Sequence, residues 1–176
     1  MGYDPKAIAN FFIELAASKG ENVTPMKLQK LDYFAHGWYA AIKDAPLLNE
    51  QVEAWKFGPV VPSLYRDLRY CGDGPVNERA FKWVVDDFDE PQRHAPAVDA
   101  NTAEGRFVVD LLTRVWELYG GYTAIQLSNL THLSGTPWYQ VNSDYQGEIP
   151  RGTDIPFNVI RDYFRSQAKT AVRADA

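Results

Sequence analysis

Cysteine is almost missing from this chain of 176 residues: Cys71 stands alone. A single thiol excludes an internal disulfide and a metal cluster built on several cysteines. Histidine is scarce as well. His36, His94 and His132 lie in three separate segments, and no two have the spacing of metal ligands, so no metal or other cofactor is expected. Positive charge is in deficit: 18 Lys and Arg against 23 Asp and Glu leave a formal net charge of −5. Nucleic-acid binding needs a basic surface, so direct DNA binding is not expected. An acidic protein is better suited to meeting a basic protein partner. No apolar run approaches the roughly 20 residues that span a bilayer, so no membrane contact is expected. The opening stretch MGYDPKAIANFF puts Asp4 and Lys6 ahead of an amphipathic helix, with no cleavage site after an apolar run. That is not a signal peptide, and a reducing cytoplasm is the expected location. The Gly72–Gly74 stretch lacks the lysine and the helix of a phosphate-binding loop. No internal repeat is visible.

What is present is an apolar fraction of 45% and an aromatic fraction of 14%, enough for a substantial core. The chain reads as mainly α: one compact helical domain over residues 1–168, built around a buried central helix, with a small antiparallel β element. The central helix is placed at residues 24–43. Thr24 suits an N-cap, and Pro25 suits the first helical position, where no N–H is needed. Leu28, Leu31, Ala35, Trp38 and Ile42 recur at three- and four-residue steps on one face. Met26, Tyr33, Gly37 and Ala40 leave the other face nearly uncharged, the pattern of a buried helix. Gly37 costs helix stability, so a neighbour is expected to pack close against the backbone there. Leu31, Trp38, Val115 and Leu127 are expected to be buried together.

Around that helix the chain punctuates itself. Asp4-Pro5 opens a first helix and Gly20 closes it. Residues 52–57 read as a strand, with Trp55 and Phe57 on one side, Lys56 on the other and Gly58-Pro59 as the turn after it. Pro62 starts a helix carrying Val61, Leu64, Tyr65 and Leu68. Residues 80–86 alternate as a second strand, expected to pair with the first. Residues 86–100 read as an exposed acidic loop. Asn101 and Glu104 resemble a capping pair for a long helix to Tyr119. Thr123 and Gln126 form another, for a short helix that Gly135-Thr136-Pro137 ends. Thr153 or Asp154 caps a last helix. The tail, residues 169–176, has no apolar stripe and is expected to fray.

Three stretches carry a family resemblance: LQKLDYFAHGWY from Leu28, EAWKFGPVVPSLYRDL from Glu53 and LYGGYTAIQLSNLTHLSGTPW from Leu118. In order and spacing they resemble the Panacea domain, the SocA-like antitoxin domain of bacteria and their phages. Three separated stretches in order are far more specific than one. The resemblance implies a mostly helical, non-enzymatic domain that binds and neutralises a toxin encoded beside it, often one that blocks translation. It also implies an alternative, an adaptor that delivers its toxin to a cellular protease. Some members add a DNA-binding domain, for which this chain has no room.

The residues themselves offer three sites to weigh. Ser128 and His132 are four apart, on one helical face, as a hydrolase nucleophile and base would be. A triad also needs an orienting carboxylate and an oxyanion hole, and neither is visible nearby. The bland reading is that both steady the Thr-Pro-Trp turn. Asp86, Asp87, Asp89 and Glu90 make an acidic cluster whose bland reading is a solvated loop and whose sharper one is a docking patch. The partner-binding surface is expected where the Trp55, Lys56 and Pro59 turn approaches the Pro137 and Trp138 turn, with Lys30, Tyr65 and His132 around it. Tryptophan and tyrosine dominate interface energetics, although large aromatics are more often core. Lys30 either snorkels to water or pairs with a carboxylate of the partner.

Overall fold

A computed structural model of the chain describes residues 2–85 and 90–174. Its elements run α1 (Pro5–Ser18), α2 (Pro25–Lys43), β1 (Glu53–Trp55), β2 (Gly58–Val60), α3 (Pro62–Leu68), a 3-10 turn (Arg69–Cys71), β3 (Lys82–Val85), β4 (Pro91–His94), α4 (Ala103–Tyr119), α5 (Ala124–Thr131), α6 (Pro137–Asp144) and α7 (Phe157–Ala174). The fold is mainly α, with two small antiparallel ribbons.

The α2 helix is the hub. It packs against α1, α3, α4, α5, α7 and β2. Thr24 caps it by accepting the Lys27 N–H, and Pro25 takes the first position. Leu28, Leu31 and Ala35 are fully buried, and Tyr33, Gly37 and Ala40 on the opposite face are buried too. They meet Leu112 and Val115 of α4, Leu127 of α5 and Phe164 of α7 in one cluster. Gly37 has the close neighbour its cost implied: a Cβ there would fall inside the Phe164 ring. Two expectations on this helix fail. Trp38 is only partly buried, its indole N–H donating to the Tyr119 hydroxyl at 3.1 Å. Ile42 lies 58% exposed, although α4 and α7 still contact the last turn of α2 through Lys43 and Ala41.

The β element also differs from expectation. Residue 58 does not turn the chain away; it begins β2, and Lys56-Phe57 make the turn, with Trp55 facing Gly58 in register. The residue that follows this turn takes a positive φ, and Gly58 adopts it at +103° without the penalty a Cβ would bring. Pro59 sits in β2, where edge strands tolerate a residue without an N–H. β1 is flanked on its other side by residues 153–155: Ala54 N–H donates to Thr153 O and Ile155 N–H to Val52 O. The second strand pairs not with the first but with β4, Val85 opposite Pro91 and Lys82 opposite His94. A partner a few residues away costs less loop entropy than a distant one. Part of the expected acidic loop is therefore strand.

Three helix ends were displaced from the sequence reading. Thr102, not Asn101, caps α4, accepting the Gly105 N–H at 2.9 Å. Glu104 instead takes the Tyr39 hydroxyl at 2.6 Å and the Lys43 ammonium at 3.2 Å. Thr136-Pro137 ends nothing; it opens α6, with Thr136 as the cap. α7 starts beyond the segment paired to β1 and runs on through Ala174. The Thr123–Gln126 capping box is present as read.

Candidate functional site

The β1–β2 hairpin is held by side chains from three helices. Trp138 of α6 donates its indole N–H to Trp55 O at 2.7 Å. Ser128 of α5 donates to Phe57 O at 2.7 Å. Lys30 of α2 donates to Pro59 O at 3.0 Å. Alternate carbonyls along the hairpin thus meet α6, α5 and α2 in turn. Just beyond, Gln29 bridges the Val61 backbone, accepting its N–H at 2.8 Å and donating to its carbonyl at 3.2 Å. Buried backbone groups need partners, and these donors supply them where sheet neighbours cannot. The Gly58 backbone lies so close that a Cβ would strike Thr131 Oγ1 and approach Lys30 Nζ.

Lys30 does not snorkel. It is 1% exposed, among the largest fully buried side chains. Burial lowers its ammonium to about 7, because a charge taken out of water is disfavoured. Beside it Thr131 is buried and His132 half-buried. His132 is held below its usual value by burial and then by the Lys30 charge, while a backbone hydrogen bond at Lys56 acts the other way. The His132 ring stands edge-on to Trp138, centroids 3.9 Å apart, and its buried Nε2 has no hydrogen-bond partner among the described residues.

A cleft of about 470 Å³ opens above this floor. Pro25, Met26 and Gln29 of α2 form one wall, Trp55 and Phe57 another, and Tyr65 and Arg69 the third. The Trp55 and Tyr65 rings meet edge to face at 4.8 Å. Phe57 projects from the hairpin tip, 62% exposed, with the Lys56 ammonium 5.4 Å from its ring. On the far side of the hairpin a second hollow of about 480 Å³ is bordered by Trp55, Lys56 and Trp138.

The structure brings Lys30, Trp55, Lys56, Pro59 and Tyr65 together at or beneath this cleft, and the two aromatic turns do meet. Trp138, however, lies on a helix rather than a loop and supports the hairpin from below through Trp55 O, and Pro137 beside it and Pro59 within β2 are likewise buried. The sequence reading missed Phe57 as an exposed residue, although an aromatic directly before a turn glycine marks a hairpin tip. Ser128 spends its hydroxyl proton on Phe57 O rather than on His132. Among the described residues no three His, Cys, Asp or Glu side chains are grouped to hold a metal. No helix there is long and apolar enough to cross a membrane. Asp86, Asp87 and Asp89 lie outside the described residues.

A family profile described as "Antitoxin SocA-like, Panacea domain" matches residues 28–139. This chain belongs to that family. The matched span takes in all three lashing residues, Lys30, Ser128 and Trp138, together with the hairpin they hold. Among individual Panacea proteins, the chain is 35% identical over 167 residues to "Antitoxin SocA" of Caulobacter vibrioides (strain NA1000 / CB15N), covering 93% of this chain and 84% of that relative. No solved structure matches it. Membership gives the chain an antitoxin role and implies a toxin as its partner. The Panacea resemblance read from three stretches is thereby confirmed.

Proposed function

We propose that this chain neutralises a cognate protein toxin by direct, stoichiometric binding, and that the toxin docks over the cleft beside the β1–β2 hairpin. One observation carries the location. The hairpin is fixed from beneath by Lys30, Ser128 and Trp138, yet it presents Phe57 outward and Tyr65 beside it, both exposed. A rigidly held aromatic tip loses little entropy on binding, which is how aromatic anchors come to dominate interfaces. The surrounding Lys56 and Arg69 provide a polar rim around an apolar centre.

The test is capture of the toxin encoded beside this chain. Wild type should hold it in a fixed ratio and restore growth. Phe57→Ala and Tyr65→Ala should each weaken capture roughly thirtyfold, the effect of losing an anchor of about 2 kcal/mol. Phe57→Ala should leave the melting temperature alone, because its side chain faces water; Tyr65→Ala gives up an edge-to-face contact with Trp55, so its stability is measured alongside capture. Arg114→Ala, on the exposed face of α4, should bind as wild type does. Full-strength capture by both aromatic variants would move the interface elsewhere.

A further inference from the structure

We propose that Lys30 is an anchor for a glutamate side chain of the bound toxin, delivered down the cleft beside an apolar residue that packs on Trp55 and Tyr65. The inference rests on the binding role proposed above and adds the chemistry of the contact.

Four observations converge on it. Lys30 Nζ carries three donor hydrogens, and among the described residues its hydrogen bond goes to Pro59 O alone. The side chain borders the floor of the cleft and is almost wholly buried, so an occupant meets it only by filling the cleft down to that floor. Among the described residues no carboxylate stands against it: Asp73 is the one acidic residue lining the cleft, against Lys30, Lys56 and Arg69. The lining is therefore locally positive on a chain whose net charge is −5. Finally, burial depresses the Lys30 ammonium with no counter-charge offsetting it. An incoming carboxylate supplies the missing charge and makes a desolvated, charge-assisted hydrogen bond.

Depth selects the side chain. Phe57 and Tyr65 at the rim are 62% and 42% exposed, whereas Lys30 is at 1%. A partner backbone crossing at the rim meets the ammonium only through a side chain long enough to descend. Glutamate has that reach and that charge. The apolar walls then take a neighbouring leucine or aromatic residue.

Amide chemical-shift titration of the full chain tests the anchor with three probes: acetyl-Leu-Glu-amide, acetyl-Leu-Gln-amide and acetyl-Leu-Ala with a free carboxyl terminus. Saturable shifts at Lys30, Trp55 and Tyr65 are expected with the first, at affinities better than about 10 mM, and at least roughly tenfold weaker binding with the second and third. Lys30→Met should abolish the preference for glutamate over glutamine while keeping a dispersed spectrum. Should Lys30→Met fail to fold, Tyr65→Ala and the glutamine probe decide, since Tyr65→Ala should weaken every leucyl probe alike. Equal affinity for the glutamate and glutamine probes, preference for the free terminus, or no saturable shift at the cleft would each overturn the anchor. Toxin capture separates the two readings. If wild type and a folded Lys30→Met capture the toxin equally, the anchor falls and the binding role stands. If wild type captures none, the binding role falls and the anchor with it.

Discussion

Two antiparallel ribbons, β1–β2 and β3–β4, sit in this molecule under opposite regimes. In β1–β2, alternate carbonyls receive donors from α6, α5 and α2, and a further segment pairs along the outer edge of β1. In β3–β4, every residue of both strands is exposed, Trp83 at 63%. Its strands carry their own ladder, Arg93 lying 3.6 Å over the Phe81 ring and the ion pairs Arg93–Glu78 and Lys82–Asp4, while buried Asn10 of α1 ties down both ends of the ribbon through Ala80 and Pro96. A two-stranded ribbon is marginal in water by itself. The first is thus fixed to the core along its length, whereas the second is tied down at its base and projects into solvent along its strands. Geometry precise enough to present an anchor belongs to the first.

The comparison breaks most completely if the floor under the first hairpin is removed. Leu31→Ala should destabilise the protein by about 2–5 kcal/mol, since Leu31 is wholly buried in the cluster that carries α2. Chemical denaturation measures it; an unchanged midpoint would show that α2 is not the hub.

Next in size is the pH response of Lys30. Its folded value, about 7, lies below its ordinary value of 10.5. Between those values the unfolded chain binds more protons than the folded one, so this residue makes stability rise with pH across that window, and its full penalty is present below it. The slope is at most about 1.4 kcal/mol per pH unit. Wild-type stability minus that of Lys30→Met, followed from pH 7 to about 9.5, should climb accordingly. A flat difference would mean that Lys30 is solvated after all.

The smallest effect sharpens the contrast. Trp83→Ser in the second ribbon should change stability by less than about 0.5 kcal/mol, as for other exposed sites. It should leave toxin capture intact, whereas Tyr65→Ala should not. Loss of capture in Trp83→Ser would transfer the docking role to the second hairpin.

The parts legible in the sequence were those with short-range signatures. Thr24-Pro25 and the Thr123–Gln126 box state their helix starts within four residues, and the Gly37 notch follows from one glycine in an apolar helix. Legibility failed where one signature served two ends. Thr136-Pro137 repeats the Thr24-Pro25 start signal, but a glycine just before it made it look like a stop. β2 was hidden because Gly58-Pro59 resembles a turn; a proline strand is credible only once its neighbours are known. The lashing of the hairpin lay furthest out of reach. Lys30 to Pro59, Ser128 to Phe57 and Trp138 to Trp55 are separated by 29, 71 and 83 residues, and nothing local announces a buried lysine as a carbonyl's partner. The three family stretches nevertheless contained every one of those donors and acceptors.

The seating of Phe164 on Gly37 ties the core to the order of synthesis. Residue 37 leaves the ribosome early, and the ring that covers it is made long afterwards. At about 5–20 residues per second, the intervening chain takes roughly 6–25 s to appear. Throughout that interval α2 carries an open apolar notch, and the growing polypeptide has most of its helices without the one that closes them. An antitoxin built this way has no finished core before α7 is made, so a freshly started copy offers the cell no completed fold until α7 has emerged.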